Sequence, residues 1–129
     1  MSKLQLKASI GNLPKNKRVD VQVLIVAFVE ESLYYYYAPQ LDVYGYGQTE
    51  TEAKESFEIT LHEFFRYTLN KGTLQRELKR LGWKLQTKTK AISAPDFSHL
   101  LQSSAELKDI VENRSFTKTH HLIQMPAVA

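Results

Sequence analysis

The chain has 129 residues, of which 43% are hydrophobic and 24% are charged, and this balance is ordinary for one folded domain in water. It has no cysteine, which excludes a disulfide framework and a zinc site built from thiolates. The longest apolar stretch, residues 23–29, is far too short to span a bilayer, and no basic start precedes an apolar signal segment. We therefore expect a cytoplasmic protein with no membrane contact.

The net charge of +3 is unevenly distributed along the chain. Residues 49–72 carry five acidic and three basic side chains, whereas residues 73–95 carry one acidic and six basic side chains. The basic character of the chain therefore belongs mainly to one segment, and the segment before it is acidic.

The N-terminal half has the pattern of short strands. Residues 4–6 alternate and indicate an edge strand, followed by a loop with a basic run at residues 15–18. Residues 21–29 are apolar in both alternation phases, which is typical of a central strand buried on both faces. A tight connection at residues 30–32 leads to a second strand at residues 33–38, so a β-hairpin is predicted, and a short third strand follows at residues 43–46.

One long amphipathic helix is predicted over residues 49–71. Thr49 and Glu52 fit a capping box at its start, and Gly72 supplies a left-handed residue at its end. Its apolar stripe follows a 3.6-residue period and should cover one face of the sheet. The stripe consists of Ala53, Phe57, Leu61, Phe64 and Thr68.

The remaining residues predict shorter elements. Thr73 begins a second helix that ends before Gly82, and residues 83–90 alternate as a strand with one basic side. Short helices and a possible return strand at residues 116–125 follow. The fold class is therefore α+β: a three- to four-stranded, mainly antiparallel sheet in the order β-β-β-α-(α)-β, with the long helix on one face. Residues 1–90 are predicted to form the core, and residues 91–129 a C-terminal extension.

The passage from the second strand into the long helix carries a family resemblance. A Pro-x-Leu step, a Gly-x-Thr step and a Glu-Ala helix start follow in order at Pro39, Leu41, Gly47, Thr49, Glu52 and Ala53. Over about residues 20–70 the chain is similar to the HicB-like antitoxin family. The resemblance implies a partial RNase H-like core and a bacterial protein that neutralises a small basic HicA-like toxin, which cleaves messenger RNA. Operator binding is not implied, because residues 91–129 lack the order of a ribbon-helix-helix module.

The sequence predicts no catalytic residues, no metal site and no cofactor. The strand at residues 21–29 has no acidic residue that could begin a two-metal nuclease site. His62-Glu63 resembles the start of a zinc-binding helix, but Arg66 stands where the second histidine is needed. His120 and His121 would point to opposite faces of a strand and could not share a metal ion. We therefore do not expect an enzyme.

Two surfaces are candidates for binding a partner protein. Tyr35 and Tyr37 share one strand face. In one interpretation they are covered by a dimer partner or by an added element of the fold. In the other they form a platform on which RNA bases stack. On the long helix, an apolar residue with acidic neighbours projects away from the stripe and suits a basic partner. That group is Glu52, Glu55, Ile59 and Glu63.

Two alternative functions use other features of the chain. A basic patch could bind nucleic acid through phosphate contacts, which would make the chain a stand-alone nucleic-acid-binding module. The patch comprises Arg76, Lys79, Arg80, Lys84, Lys88 and Lys90. The third alternative is a homo-oligomeric adaptor, without a toxin, that assembles through the tyrosine face.

Overall fold

The computed structural model describes residues 18–127, which form a four-stranded antiparallel sheet and four helices. The predicted α+β class and its one long helix are confirmed. The elements are β1 (Arg18–Glu30), β2 (Leu33–Ala38), β3 (Val43–Gly47), α1 (Glu50–Lys71), α2 (Leu74–Arg80), α3 (Phe97–Ser103), α4 (Ala105–Asn113) and β4 (Phe116–Pro126). The edge strand predicted at residues 4–6 lies outside the described residues.

The strand order is β3-β2-β1-β4, and every neighbouring pair is antiparallel. The long strand β1 is central, and its residues Val23 to Val26 are buried whichever face they point to, as the apolar run predicts. Glu31 and Ser32 have φ angles of 50° and 67°, so the β1–β2 hairpin closes with two left-handed residues, as in a type I′ turn.

Both ends of α1 lie where the capping residues in the sequence predict them. The Thr49 hydroxyl accepts a hydrogen bond from the Glu52 amide at 3.1 Å, and the Glu52 carboxylate accepts one from the Gln48 amide at 3.1 Å. At the other end Gly72 is left-handed, with φ 67°, and its amide donates to the Leu69 carbonyl at 3.1 Å. These two caps fix the helix to the predicted segment.

The buried stripe of α1 differs from the prediction at one position. The buried residues are Ala53, Phe57, Leu61, Phe65 and Thr68. The prediction of Phe64 in this stripe is wrong: Phe64 is only half-buried at the side of the core, whereas Phe65 is fully buried. Both positions lie close to the stripe direction of a 3.6-residue period, so the period alone does not choose between them.

A glycine on β3 brings α1 unusually close to the sheet. A Cβ atom added at Gly45 would lie 2.2 Å from the backbone nitrogen of Phe57. No residue other than glycine fits there without moving the helix. The packing of α1 on β3 therefore depends on this missing side chain.

The second face of the sheet is covered by α3 and α4. Leu100, Leu107 and Ile110 from these helices form a second core cluster with residues from β1 and β2. The cluster includes Leu24, Val26, Phe28 and Tyr37 from those strands. Residues 97–126, assigned from the sequence to an extension, thus supply both the second helical layer and the strand that pairs with β1.

The strand predicted at residues 83–90 is wrong. Lys84 forms only an isolated bridge with Ser93, and the Thr87 amide donates to the Lys90 carbonyl at 2.8 Å, which closes a turn. Trp83 turns inward and donates its indole N–H to the Gln40 carbonyl at 2.7 Å. Strand β4 pairs with β1 on the side that β2 leaves free, so residues 83–90 have no strand to pair with there.

Candidate partner-binding surface

The outer face of α1 presents an exposed apolar residue among charged ones. Ile59 is 66% exposed, and Glu52, Glu55 and Glu63 are also exposed. With 100° per residue, these three glutamates lie within about 40° of the direction of Ile59 around the helix. The capping box and the buried stripe together fix this orientation. We call Glu52, Glu55, Ile59, Glu63 and Arg66 the outer face of α1.

The outer face of α1 is less acidic than its glutamates alone suggest. Arg66 donates to Glu63, with 2.6 Å between Nη2 and Oε2, and this hydrogen bond lowers the pKa of the Glu63 carboxyl below its usual value. The Glu52 carboxylate is engaged in the helix cap. Glu55 is exposed and takes part in neither interaction. The rim around Ile59 is therefore mixed in charge, with Arg66 as a positive residue that the sequence reasoning left out.

The prediction of Tyr37 as an outward contact is wrong. Its side chain is 1% exposed beneath the helical layer of α3 and α4, its ring stacks on Tyr44 at 4.2 Å, and its hydroxyl donates to Asp42 at 3.2 Å. Burial raises the pKa of the Tyr37 hydroxyl above its ordinary value. Tyr37 is buried because the second helical layer, α3 and α4, covers this face of the sheet. An added element on this face was one of the alternatives predicted for the two tyrosines.

Tyr35 is only half-buried, although it shares the face of Tyr37. Its ring stacks on Phe28 with a centroid distance of 5.0 Å and lies 6.0 Å from the ring of Tyr46, which is 60% exposed. Exposure of these rings therefore increases from Phe28 on the central strand to Tyr46 on the edge strand β3. Of the two tyrosines predicted as contacts, only Tyr35 borders on solvent.

A groove on the opposite face of the hairpin was missed by the sequence reasoning. It has a volume of about 320 Å³, and its lining includes Val29, Tyr34, Tyr36, Glu50 and Thr117. Val29 is 54% exposed and Tyr34 is 37% exposed. Burial and the nearby Glu50 carboxylate raise the pKa of the Tyr36 hydroxyl. The groove therefore combines an apolar wall with one acidic residue at the start of α1.

The six residues of the predicted basic patch are exposed, but the strand predicted to carry three of them is absent. Arg80 is paired with Glu77. Lys88 and Lys90 lie in the turn at residues 87–90, so the shared strand face predicted for them and Lys84 is wrong. Arg76 instead lines a second groove of about 570 Å³ between α1 and α2.

This second groove also contains Tyr67 and Lys71, with the Lys71 ammonium 6.0 Å from the centre of the Tyr67 ring. It brings two cations next to an exposed aromatic ring. Lys79 and Lys84 are exposed outside this groove.

The described residues also bear on metal binding and on membrane insertion. Among residues 18–127, no group of three or more histidines and carboxylates is placed to hold a metal ion. None of the helices in this part of the chain is long and apolar enough to cross a bilayer. His120 is exposed and His121 is buried, in agreement with their predicted opposite orientations.

Comparisons of this chain with protein-family models, with curated proteins and with solved structures find no match.

Proposed function

We propose that this chain is a non-catalytic, antitoxin-type protein that binds and neutralises a small basic toxin that cleaves messenger RNA. The pairing corresponds to a HicA/HicB-type toxin–antitoxin system in the bacterial cytoplasm. The observation that carries the proposal is the exposure of Ile59 at the centre of a charged helix face, on a rigid helix of 22 residues. The resemblance at residues 20–70 supports the same assignment.

The outer face of α1 has the composition of a small protein-binding surface. Binding energy is usually concentrated in a few central residues that lose contact with water, while a polar rim surrounds them. Ile59 fits the central position, and Glu52, Glu55, Glu63 and Arg66 fit the rim. Carboxylates on the rim would attract a basic partner and orient it as it approaches.

The groove beside the start of α1 extends this surface. Glu50 belongs both to the groove and to the first turn of α1, about 14 Å along the helix axis from Ile59. Val29 and Tyr34 give the groove an exposed apolar wall. A basic side chain of the toxin fits there with its aliphatic part against Tyr34 and its charge toward Glu50.

The test is growth rescue in a host that expresses a small basic HicA-like toxin from the same genome, taken first from any such reading frame found beside the gene for this chain. We expect the native chain to restore growth. Ile59→Lys should abolish rescue, because it places a charge at the centre of the contact, where it would be buried, and because that positive charge repels a basic partner. Thr60→Lys is the matched control, since it adds the same charge to the same helix about 100° away, and it should still rescue. Failure of the native chain to rescue growth contradicts the proposal.

A nucleic-acid-binding module is the second candidate function, and the groove of Tyr67, Lys71 and Arg76 is the observation that favours it. An aromatic ring can stack on a base while cations contact phosphates. Two phosphate contacts predict a slope of about −1.4 for the logarithm of the affinity against the logarithm of salt concentration, measured with single-stranded RNA. Arg76→Ala should reduce that slope, and affinity independent of salt contradicts this candidate.

A further inference from the structure

Strand β4 forms one edge of the sheet among the described residues. It occupies one end of the order β3-β2-β1-β4 and pairs with β1 from Phe116 to Pro126. In the described part of the chain, no backbone hydrogen bond links β4 to any element other than β1. Within residues 18–127 its outer backbone groups therefore have no strand partner.

An open edge of 11 residues is long, and proteins commonly protect such edges with charges or proline. On β4 these protections are weak along the middle of the strand. Pro126 stands only at its end, and the Lys118 ammonium lies 4.3 Å over the ring of Phe97, held against α3. Residues 119–125 contain no lysine, arginine, aspartate or glutamate.

Two copies of β4 can pair along their whole length in one register only. In a two-fold antiparallel pair, facing residues share a face of the sheet, so one residue must lie on the axis and face its own copy. With His121 on the axis, all 11 residues pair, and Lys118 faces Gln124, Thr119 faces Ile123, and His120 faces Leu122. With Thr119 on the axis, Lys118 would instead face His120 and the ladder would be shorter.

The two faces of β4 are covered within the chain: Ile123 and Met125 share the first core cluster with Leu78 of α2 and with Trp83, and Lys118 lies over Phe97 of α3. Helix α1 packs on β3 and β2, at the far side of the sheet. The second cluster joins α3 and α4 mainly to residues of β1 and β2. A second copy would approach β4 in the plane of the sheet, on the side of the strand that β1 does not occupy.

We propose that two copies of this chain pair through β4, antiparallel and centred on His121, to form one continuous eight-stranded sheet. This homodimer does not involve the outer face of α1 and does not depend on the toxin-binding function.

The test uses single cysteines in the full chain, which has none of its own. In the proposed register the Cα atoms at position 121 lie about 4.5–5.5 Å apart, within the range of a disulfide. The two copies of position 119, or of position 123, lie about 14 Å apart along the strands, which is too far. Under mild oxidation we expect a disulfide dimer with His121→Cys, and only the collisional background with Thr119→Cys and Ile123→Cys. The exposed helix variant Thr60→Cys measures that background.

A second measurement avoids substitution of the buried His121. Hydrogen exchange of the unmodified chain should show β4 amides that become protected as protein concentration rises, while amides in α1 stay unchanged. Equal cross-linking at all positions, or a maximum at position 119 or 123, overturns the proposed pairing. Protection of the outer β4 amides that is independent of concentration also overturns it, because the edge would then be covered within one chain, for example by residues 1–17.

Discussion

Replacement of Gly45 by alanine should push α1 away from β3 and destabilise the fold. The new Cβ atom would lie 2.2 Å from the Phe57 nitrogen and 2.4 Å from its Cα, whereas ordinary contacts begin at 3.4 Å. The obstacle is helix backbone and cannot rotate away, so α1 must move by about 1 Å over Phe57 and Leu61, which are fully buried. Overpacking of this kind costs about 3 kcal/mol, the upper part of the usual range.

The assay is chemical and thermal unfolding of Gly45→Ala beside Tyr46→Ala. Tyr46 is the next residue of β3, points to the other face and is 60% exposed, so its replacement should cost less than about 1 kcal/mol. For a chain of this length, 3 kcal/mol lowers the melting temperature by roughly 10 °C. Hydrogen exchange should show the largest loss of protection in α1. A melting temperature of Gly45→Ala within 2–3 °C of the native value, roughly the effect of 1 kcal/mol, would refute the close packing of α1 on β3.

Three further predictions concern the other parts of the core. Leu107→Ala removes a fully buried side chain above the second sheet face and should cost about 2–5 kcal/mol in urea unfolding, whereas a loss under 1 kcal/mol would mean that α4 does not cover that face. Gln40→Ala removes hydrogen bonds to the Leu24 amide at 2.6 Å and the Pro95 carbonyl at 3.0 Å and should cost about 1–3 kcal/mol, and an unchanged unfolding midpoint would argue against this bridge. Burial raises the pKa values of the Tyr37 and Tyr44 hydroxyls, so these groups lose their protons at lower pH in the unfolded chain than in the folded one. The free energy of unfolding should therefore be constant below about pH 10 and fall above it, less steeply in Tyr44→Phe. A free energy of unfolding that stays constant up to about pH 11 would contradict this.

The elements with strong local signals were predictable from the sequence. The capping box at Thr49 and the left-handed Gly72 fix both ends of α1, and these signals act within a few residues. The apolar run of β1 predicts its central, doubly buried position in the same way. Such features depend little on distant parts of the chain.

Features set by tertiary packing were not predictable. Residues 83–90 alternate like a strand, but β4 occupies the edge beside β1, and the indole of Trp83 is drawn to the Gln40 carbonyl instead. The burial of Tyr37 follows from the position of α3 and α4, which no local pattern specifies. Competition for places on the sheet decided these outcomes.

One part of the candidate surface was predictable from the sequence, and another part was not. Exposure of Ile59 follows from the helical period, because it lies opposite the buried stripe. The groove of Val29, Tyr34 and Glu50 joins the ends of two strands to the start of α1, so it exists only in the folded chain. The pairing of Arg66 with Glu63 shows that charges counted along a helix overstate the field at its surface.

The measurement that tests the central claim most directly is calorimetric titration of the purified chain with a purified small basic HicA-like toxin from the same genome, the partner class that the proposal names. Binding through the outer face of α1 predicts a stoichiometric complex, a loss of affinity of at least about 30-fold for Ile59→Lys, and a change of no more than about threefold for Thr60→Lys. No heat of binding with the native chain, or equal affinity of Ile59→Lys and the native chain, would contradict the claim.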